Sequence, residues 1–251
     1  MGKTVVAAVD ADPELELVAA VDPATTGDLI GAKGLTVAPE PGSMEEAGVE
    51  VAVDFTVAEA ALDNAAWCAD HGVHAVIGTT GLSGSDLDDL RGRFEASDAN
   101  CIVAPNFAIG AVLMMYFAEL AAPWFAGAEV VELHHDTKVD APSGTALLTA
   151  RRVAAARSGA ARSRTPAATR GAREPGPARG MEAADGVQVH SVRLPGLVSH
   201  QEVLFGNAGE VLTVRHDSLD RGSFMPGVLL AIKQVPARRG LTLGLEVLLG
   251  L

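Results

Sequence analysis

The strongest constraint on this chain is a repeated handover between short apolar runs and helix-forming segments in its first hundred residues. The run VAVDF at 51–55 precedes an Ala-rich helical stretch at 57–70, and HAVI at 74–77 leads into Gly78-Thr79-Thr80-Gly81. A helix with Asp-rich solvent positions follows at 83–96, and CIVA at 101–104 ends in Pro105-Asn106-Phe107. Runs this short are strands rather than helices, and strands that alternate with helices pair in parallel through βαβ crossovers. The run LELVAAV at 15–21, ending in Asp22-Pro23, reads as one more strand of the same sheet. Open sheets of this kind bind ligands beyond the carboxyl ends of their strands. Those ends carry Asp22, Asp54-Phe55-Thr56, Gly78-Thr79-Thr80 and Ala104-Pro105-Asn106-Phe107. Aromatic residues make up only 4% of the chain against 48% hydrophobic, so the core is built from Val, Leu, Ile and Ala, as buried parallel strands require.

The second half changes character. Helices are predicted at 110–122 and 143–156, with a strand at 130–133 between them. Residues 157–184, rich in Arg, Ala, Gly and Pro, read as a mobile loop. Three strand-like runs follow at 187–194, 202–205 and 211–215, the last two joined by the hairpin turn Gly206-Asn207-Ala208-Gly209, and 224–234 is helical again. Strands without intervening helices imply a separate, mixed or antiparallel sheet. The expectation is an α/β chain of two domains. Residues 1–106 and 221–251 form a Rossmann-like, parallel-sheet nucleotide-binding domain, and 107–220 form an α+β substrate-binding and oligomerisation domain with a mixed sheet. A dinucleotide-binding sheet opens with a strand, a glycine-rich turn and a helix. Residues 1–11 already read as that helix, and no G-x-G-x-x-G precedes 15–21. The first domain is therefore read as N-terminally truncated, from a start site assigned too late.

A formal net charge of −13 argues against nucleic acid and against an anionic membrane, both of which need a basic surface. Neither a signal peptide nor a membrane-spanning apolar stretch is legible, and the expected location is the cytoplasm. Cys68 and Cys101 lie in segments read as helix and buried strand, where reduced thiols are the expectation.

The densest polar cluster runs from Glu132 to Ala146 (ELHHDTKVDAPSGTA) and joins a strand to a helix. His134 and His135 supply imidazoles suited to acid–base work near neutral pH, and Lys138 can hold a carboxylate or donate a proton. Ser143, Gly144 and Thr145 fall where the helix begins, so its free N–H groups and positive dipole end offer a carboxylate site. Together they describe a pocket for a small anionic substrate that needs a proton. Adjacent histidines point in different directions and no third ligand is evident, so no metal is expected. A Ser–His hydrolase is disfavoured by the absence of a G-x-S-x-G elbow.

The run HHDTKVDAPSGTA closely resembles the signature of 4-hydroxy-tetrahydrodipicolinate reductases, formerly dihydrodipicolinate reductases. VDFT at 53–56, GTTG at 78–81, APNF at 104–107, SVRLPG at 191–196, HQEVLFG at 200–206 and RHDS at 215–218 fall in the expected order. The resemblance covers roughly residue 15 to the end. It implies an oxidoreductase of the diaminopimelate route to lysine that reduces a cyclic unsaturated dicarboxylate with NADH or NADPH. It further implies His134 as the acid–base residue, Lys138 as the proton donor, and His135, Ser143, Gly144 and Thr145 as carboxylate-holding residues. Gly78, Thr79, Thr80, Ala104, Pro105, Asn106 and Phe107 would line the nicotinamide side. The family's assembly is a homotetramer built through the second sheet. Asp22, at the end of a strand, stands where an acidic side chain grips the ribose of NAD and repels a 2′-phosphate, so NADH is favoured; capping of the Pro23 turn is its other reading. The competing class is a non-catalytic relative that has lost cofactor binding and acts as a binding or scaffold protein. His190, His200 and His216 read as structural or interface residues, and the sequence does not rank Arg193, Arg215 and Arg221 as neutralisers of the substrate.

Overall fold

The computed structural model describes residues 1–159 and 177–251. The chain divides into two compact units, Met1–Phe107 with Arg221–Leu251, and Ala108–Asp220.

Unit 1 contains α1 (Gly2–Ala11), the short hairpin β1 (Leu29–Ile30) and β2 (Leu35–Thr36), α2 (Gly42–Glu46), β3 (Val51–Asp54), α3 (Ala58–Asp70), β4 (His74–Ile77), α4 (Gly84–Glu95) and β5 (Cys101–Val103). After unit 2 the chain returns to it. The sheet order is β11-β5-β4-β3, parallel throughout, where β11 is Leu241–Leu243. Strand residues alternate faces. Ala75, Ile77, Cys101 and Val103 join Ala61, Ala65 and Cys68 of α3 and Leu90 and Phe94 of α4 in one buried cluster. Each large apolar side chain fully buried there contributes roughly 1.5–3 kcal/mol. Ser83 and Asp86 start α4 with a reciprocal capping box, which satisfies two backbone donors at once. Helix α7 (Met225–Gln234) packs on β4. Gly227 lets it lie close against the chain that follows β5: a Cβ there would fall 2.1 Å from the Phe107 carbonyl oxygen.

The strand expected at 15–21 is not formed. Ala38 N–H donates to the Ala20 carbonyl at 2.8 Å and Asp22 N–H donates to the Ala38 carbonyl at 3.0 Å, which makes one isolated bridge between Val21 and Ala38. A single bridge is not a ladder, and an apolar run without a paired neighbour along its length stays irregular.

Unit 2 contains α5 (Ile109–Ala121), β6 (Gly127–His134), α6 (Gly144–Gly159), β7 (Met181–Ala184), β8 (Val187–Arg193), β9 (Ser199–Asn207) and β10 (Glu210–Ser218). Its sheet is mixed, in the order β10-β9-β6-β8-β7, with β6 parallel to β8 and antiparallel to β9. Val130, Val189 and Val203 stand side by side on the inner face with at most 1% of their surface exposed. Helices α5 and α6 cover that face: Gln201 Nε2 donates to Thr149 Oγ1 of α6 at 2.7 Å and approaches Met114 Sδ of α5 at 3.8 Å. The β9–β10 hairpin is tighter and longer than expected, with only Ala208 and Gly209 between paired Asn207 and Glu210, and Gly209 at φ +85°. The loop expected at 157–184 is corrected at both ends, where α6 runs to Gly159 and 181–184 form β7; positions 160–176 lie outside the described residues.

After the strands, α7 and β11 are followed by α8 (Glu246–Leu249), which completes unit 1.

Candidate active site

In unit 2 the alternation of β6 places Ala128, Val130, Glu132 and His134 on the inner face. Glu132 is a carboxylate with 0% exposure. A charge in that position is tolerated only when every lone pair is answered, and here each is. Arg193, from the neighbouring β8, grips it two-fold, Nη1 to Oε2 and Nη2 to Oε1, both at 2.9 Å. His134 Nδ1 bonds to Oε2, and the Ser143 N–H donates to Oε1 at 3.3 Å. Burial pushes the Glu132 carboxyl up, but the hydrogen bonds from His134 and Arg193 outweigh it and hold the group at about 2. Arg193 Nη2 also donates to the Asp140 carbonyl at 2.6 Å, so the same guanidinium ties down the loop that carries Lys138.

Of the sequence-predicted residues of unit 2, His134 and Ser143 bond directly to this buried carboxylate, and the others follow on the same stretch of chain. His134 ends β6, with Ser199 Oγ at 3.1 Å from its Nε2. Lys138 lies in the following loop, its Nζ donating to Asp140 Oδ1 at 2.6 Å. That pair holds the Asp140 carboxyl below the usual range although partial burial pushes it up. His135 Nδ1 contacts Thr137 Oγ1 at 2.7 Å. Ser143 is buried and precedes α6: its Oγ accepts from the Ala146 N–H at 3.2 Å, and its carbonyl accepts from the Leu147 N–H at 3.0 Å. Gly144 and Thr145 then occupy the first turn, whose N–H groups have no partner within a helix. Sequence reasoning missed Glu132 and left Arg193 unranked. The signal for Glu132 was there: an acidic residue two positions before a histidine on an alternating strand shares its face.

In unit 1 the predicted residues line the carboxyl ends of the parallel strands. Thr79 is buried, its hydroxyl donating to the Thr56 carbonyl at 3.0 Å and to Asp54 Oδ1 at 3.3 Å. Asp54 also accepts from the Thr56 N–H and from Asn64 Nδ2, both at 2.7 Å, which ties the end of β3 to α3, while the Thr79 hydroxyl joins the loops after β3 and β4. Gly78 lies under the Phe55 ring, where a Cβ would fall 2.1 Å from Cε1. The Phe55 and Phe107 rings meet at a centroid distance of 5.6 Å. Ala104 and Phe107 are buried, Asn106 is half-buried, and Thr80 and Pro105 are exposed at the rim. Aromatic rings, a side-chain-free Gly78 and open loops at the strand ends fit a flat, uncharged ring such as a nicotinamide. Asp22 is exposed and caps the Pro23 turn, its Oδ1 accepting from the Ala24 N–H at 2.9 Å.

Three further histidines have structural partners. His74 Nδ1 accepts from the Asn100 N–H at 2.9 Å, and burial pulls its imidazole down. His190 meets Glu129 at 2.8 Å and His200 meets Asp217 at 2.7 Å. Arg215 is taken up by Glu202 at 2.9 Å and Asp217 at 3.0 Å. Among the described residues no cluster of His, Cys, Asp and Glu has the makings of a metal site.

Comparison with known proteins decides the family. The profile of the dihydrodipicolinate reductase N-terminus matches residues 1–107, and that of its C-terminus matches 110–249. The chain belongs to the dihydrodipicolinate reductase family. The 4-hydroxy-tetrahydrodipicolinate reductase of Nocardia farcinica is 51% identical over 252 aligned positions, covering 100% of this chain and 95% of that one. The Streptomyces coelicolor reductase is 48% identical, covering 100% and 94%. A dipicolinate-bound dihydrodipicolinate reductase from a Paenisporosarcina species superposes with a TM-score of 0.81 at 40% identity, over 98% of this chain and 94% of that one. An amine dehydrogenase from Mycobacterium smegmatis, at 15% identity and TM-score 0.60, shares the fold alone. The family uses a pyridine nucleotide, which the strand-end loops of unit 1 suit.

Proposed function

We propose that this chain is a 4-hydroxy-tetrahydrodipicolinate reductase of the diaminopimelate route to lysine. The observation that carries the reading is the gathering, on one stretch of unit 2, of an imidazole backed by a buried carboxylate, an ammonium group and an open helix start. These are the parts needed to hold a small dicarboxylate and protonate it. The reaction takes in one hydride and one proton and loses the 4-hydroxyl as water.

The reduced nicotinamide supplies the hydride when bound. Gly78, Thr79, Thr80, Ala104, Pro105, Asn106 and Phe107 would hold it, and Asp22 would meet the ribose. A carboxylate at that point repels a 2′-phosphate, so NADH is the better donor and NADPH the weaker. In unit 2 the N–H groups of Gly144 and Thr145, with Ser143 and His135, hold the substrate carboxylates at the positive end of α6. Lys138 donates the proton, and His134 is the acid–base residue. The assembly is a cytoplasmic homotetramer formed through the outer face of the second sheet. There Val131, Leu133 and Leu204 stay only half-buried beside the His190–Glu129 and Arg215–Glu202 pairs.

The test is product analysis. Substrate freshly made from pyruvate and aspartate semialdehyde is incubated with the purified chain and NADH or NADPH, and products are read by mass spectrometry. Tetrahydrodipicolinate formed mole for mole with oxidised nucleotide is expected, faster with NADH. Unchanged nucleotide and substrate would favour the non-catalytic binding protein.

A further inference from the structure

We infer that Glu132 is a positioning residue of the reaction, fixing the tautomer and countercharge of His134 while holding the Lys138 loop and the start of α6 in register with it. The inference rests on the reading of His134 as the acid–base residue. Its grounds are geometric. Glu132 is fully buried, and its two oxygens receive four donors: His134 Nδ1 and Arg193 Nη1 at Oε2, Arg193 Nη2 and the Ser143 N–H at Oε1.

Chemistry then dictates the imidazole. A carboxylate held at about 2 carries no proton at neutral pH, so the hydrogen between Glu132 and His134 belongs to Nδ1. Nε2 is left as the working nitrogen: a lone pair in the neutral ring, a proton donor in the charged one. In the structure it faces the Ser199 hydroxyl. The charges facing His134 are Glu132 on its own strand and Arg193 from β8. β9 offers the neutral Ser199, and the loop after β6 carries the Lys138–Asp140 pair. Arg193 offsets part of Glu132's field but has no acceptor for the His134 hydrogen, so tautomer control falls to Glu132 alone. Arg193 also donates to the Val192 and Asp140 carbonyls, and the second of these couples the loop geometry to the same carboxylate.

The experiment has two arms. Glu132→Gln keeps shape but removes charge. We expect kcat for substrate-dependent NADH oxidation to fall by roughly 100-fold, while KM for NADH stays within about threefold. A folded Glu132→Gln protein with unmoved kcat overturns the inference. If that protein does not fold, the second arm decides, because it uses the unsubstituted chain. Nitrogen-15 spectra of the histidine rings, assigned by loss of signals in His134→Asn, should show His134 as the Nδ1–H tautomer in its neutral form. An Nε2–H tautomer overturns the inference. Absence of oxidation by the unsubstituted chain sinks the reductase reading instead, and leaves the tautomer result to judge Glu132.

Discussion

Glu132 shows how a single residue links folding to chemistry in this chain. Its carboxyl, held at about 2 against an ordinary value of 4.5, gives up stability in a defined acid window. A depressed carboxylate stabilises the fold fully above 4.5, and that contribution is withdrawn as pH falls towards 2. Denaturant unfolding of the unsubstituted chain and of Glu132→Gln should therefore differ most near pH 6, narrow as pH falls below 4.5 and converge only at about pH 2; a constant gap would contradict the assignment. Asp22 works at the same scale. It caps a turn through Oδ1, so Asp22→Ala costs a cap worth about 1 kcal/mol. If Asp22 meets the ribose as proposed, the substitution should also lower the ratio of kcat/KM for NADH to that for NADPH by about tenfold (~1.4 kcal/mol). An unchanged ratio would leave Asp22 with the cap as its only role.

At the scale of elements, strand ends and helix starts do the positioning. The cluster from His134 to Thr145 was legible because its chemistry is contiguous: strand end, loop and helix start follow one another. The Glu132–Arg193 pair was not, because its partners lie 61 residues apart and meet only through the β6–β8 register. The parallel sheet of unit 1 was read from its βαβ rhythm, whereas 15–21 misled, since an apolar run does not reveal whether a neighbour pairs with it. β7 was hidden in a segment whose Arg, Ala, Gly and Pro content reads as loop; its strand character comes from pairing with β8. Gly78 tests the strand-end reading directly. Gly78→Ala puts a methyl group into the Phe55 ring, and should destabilise unit 1 by about 1–3 kcal/mol in thermal unfolding and raise KM for the nucleotide. Unchanged unfolding and KM would mean that Phe55 moves aside freely.

For the whole molecule, two units divide the labour: a parallel sheet with open strand ends in one, a mixed sheet backed by α5 and α6 in the other. No helix among the described residues is long and apolar enough to cross a membrane. The outer face of the mixed sheet carries half-buried apolar residues between ion pairs, and the proposed tetramer is placed there. Light scattering should give a mass four times the 25.7 kDa of the chain. Glu202→Lys, which sets two cations against each other at the Arg215 pair, should lower that mass. A monomer before substitution would refute the tetramer.

The central claim is that unit 2 protonates the substrate through the segment after β6. Absorbance-monitored NADH oxidation with freshly made substrate tests it most directly, comparing the unsubstituted chain with Lys138→Ala. The account predicts substrate-dependent oxidation by the former and a kcat lower by roughly 10² to 10⁴ in the latter, with unfolding temperature preserved. Equal rates in the two proteins would contradict it.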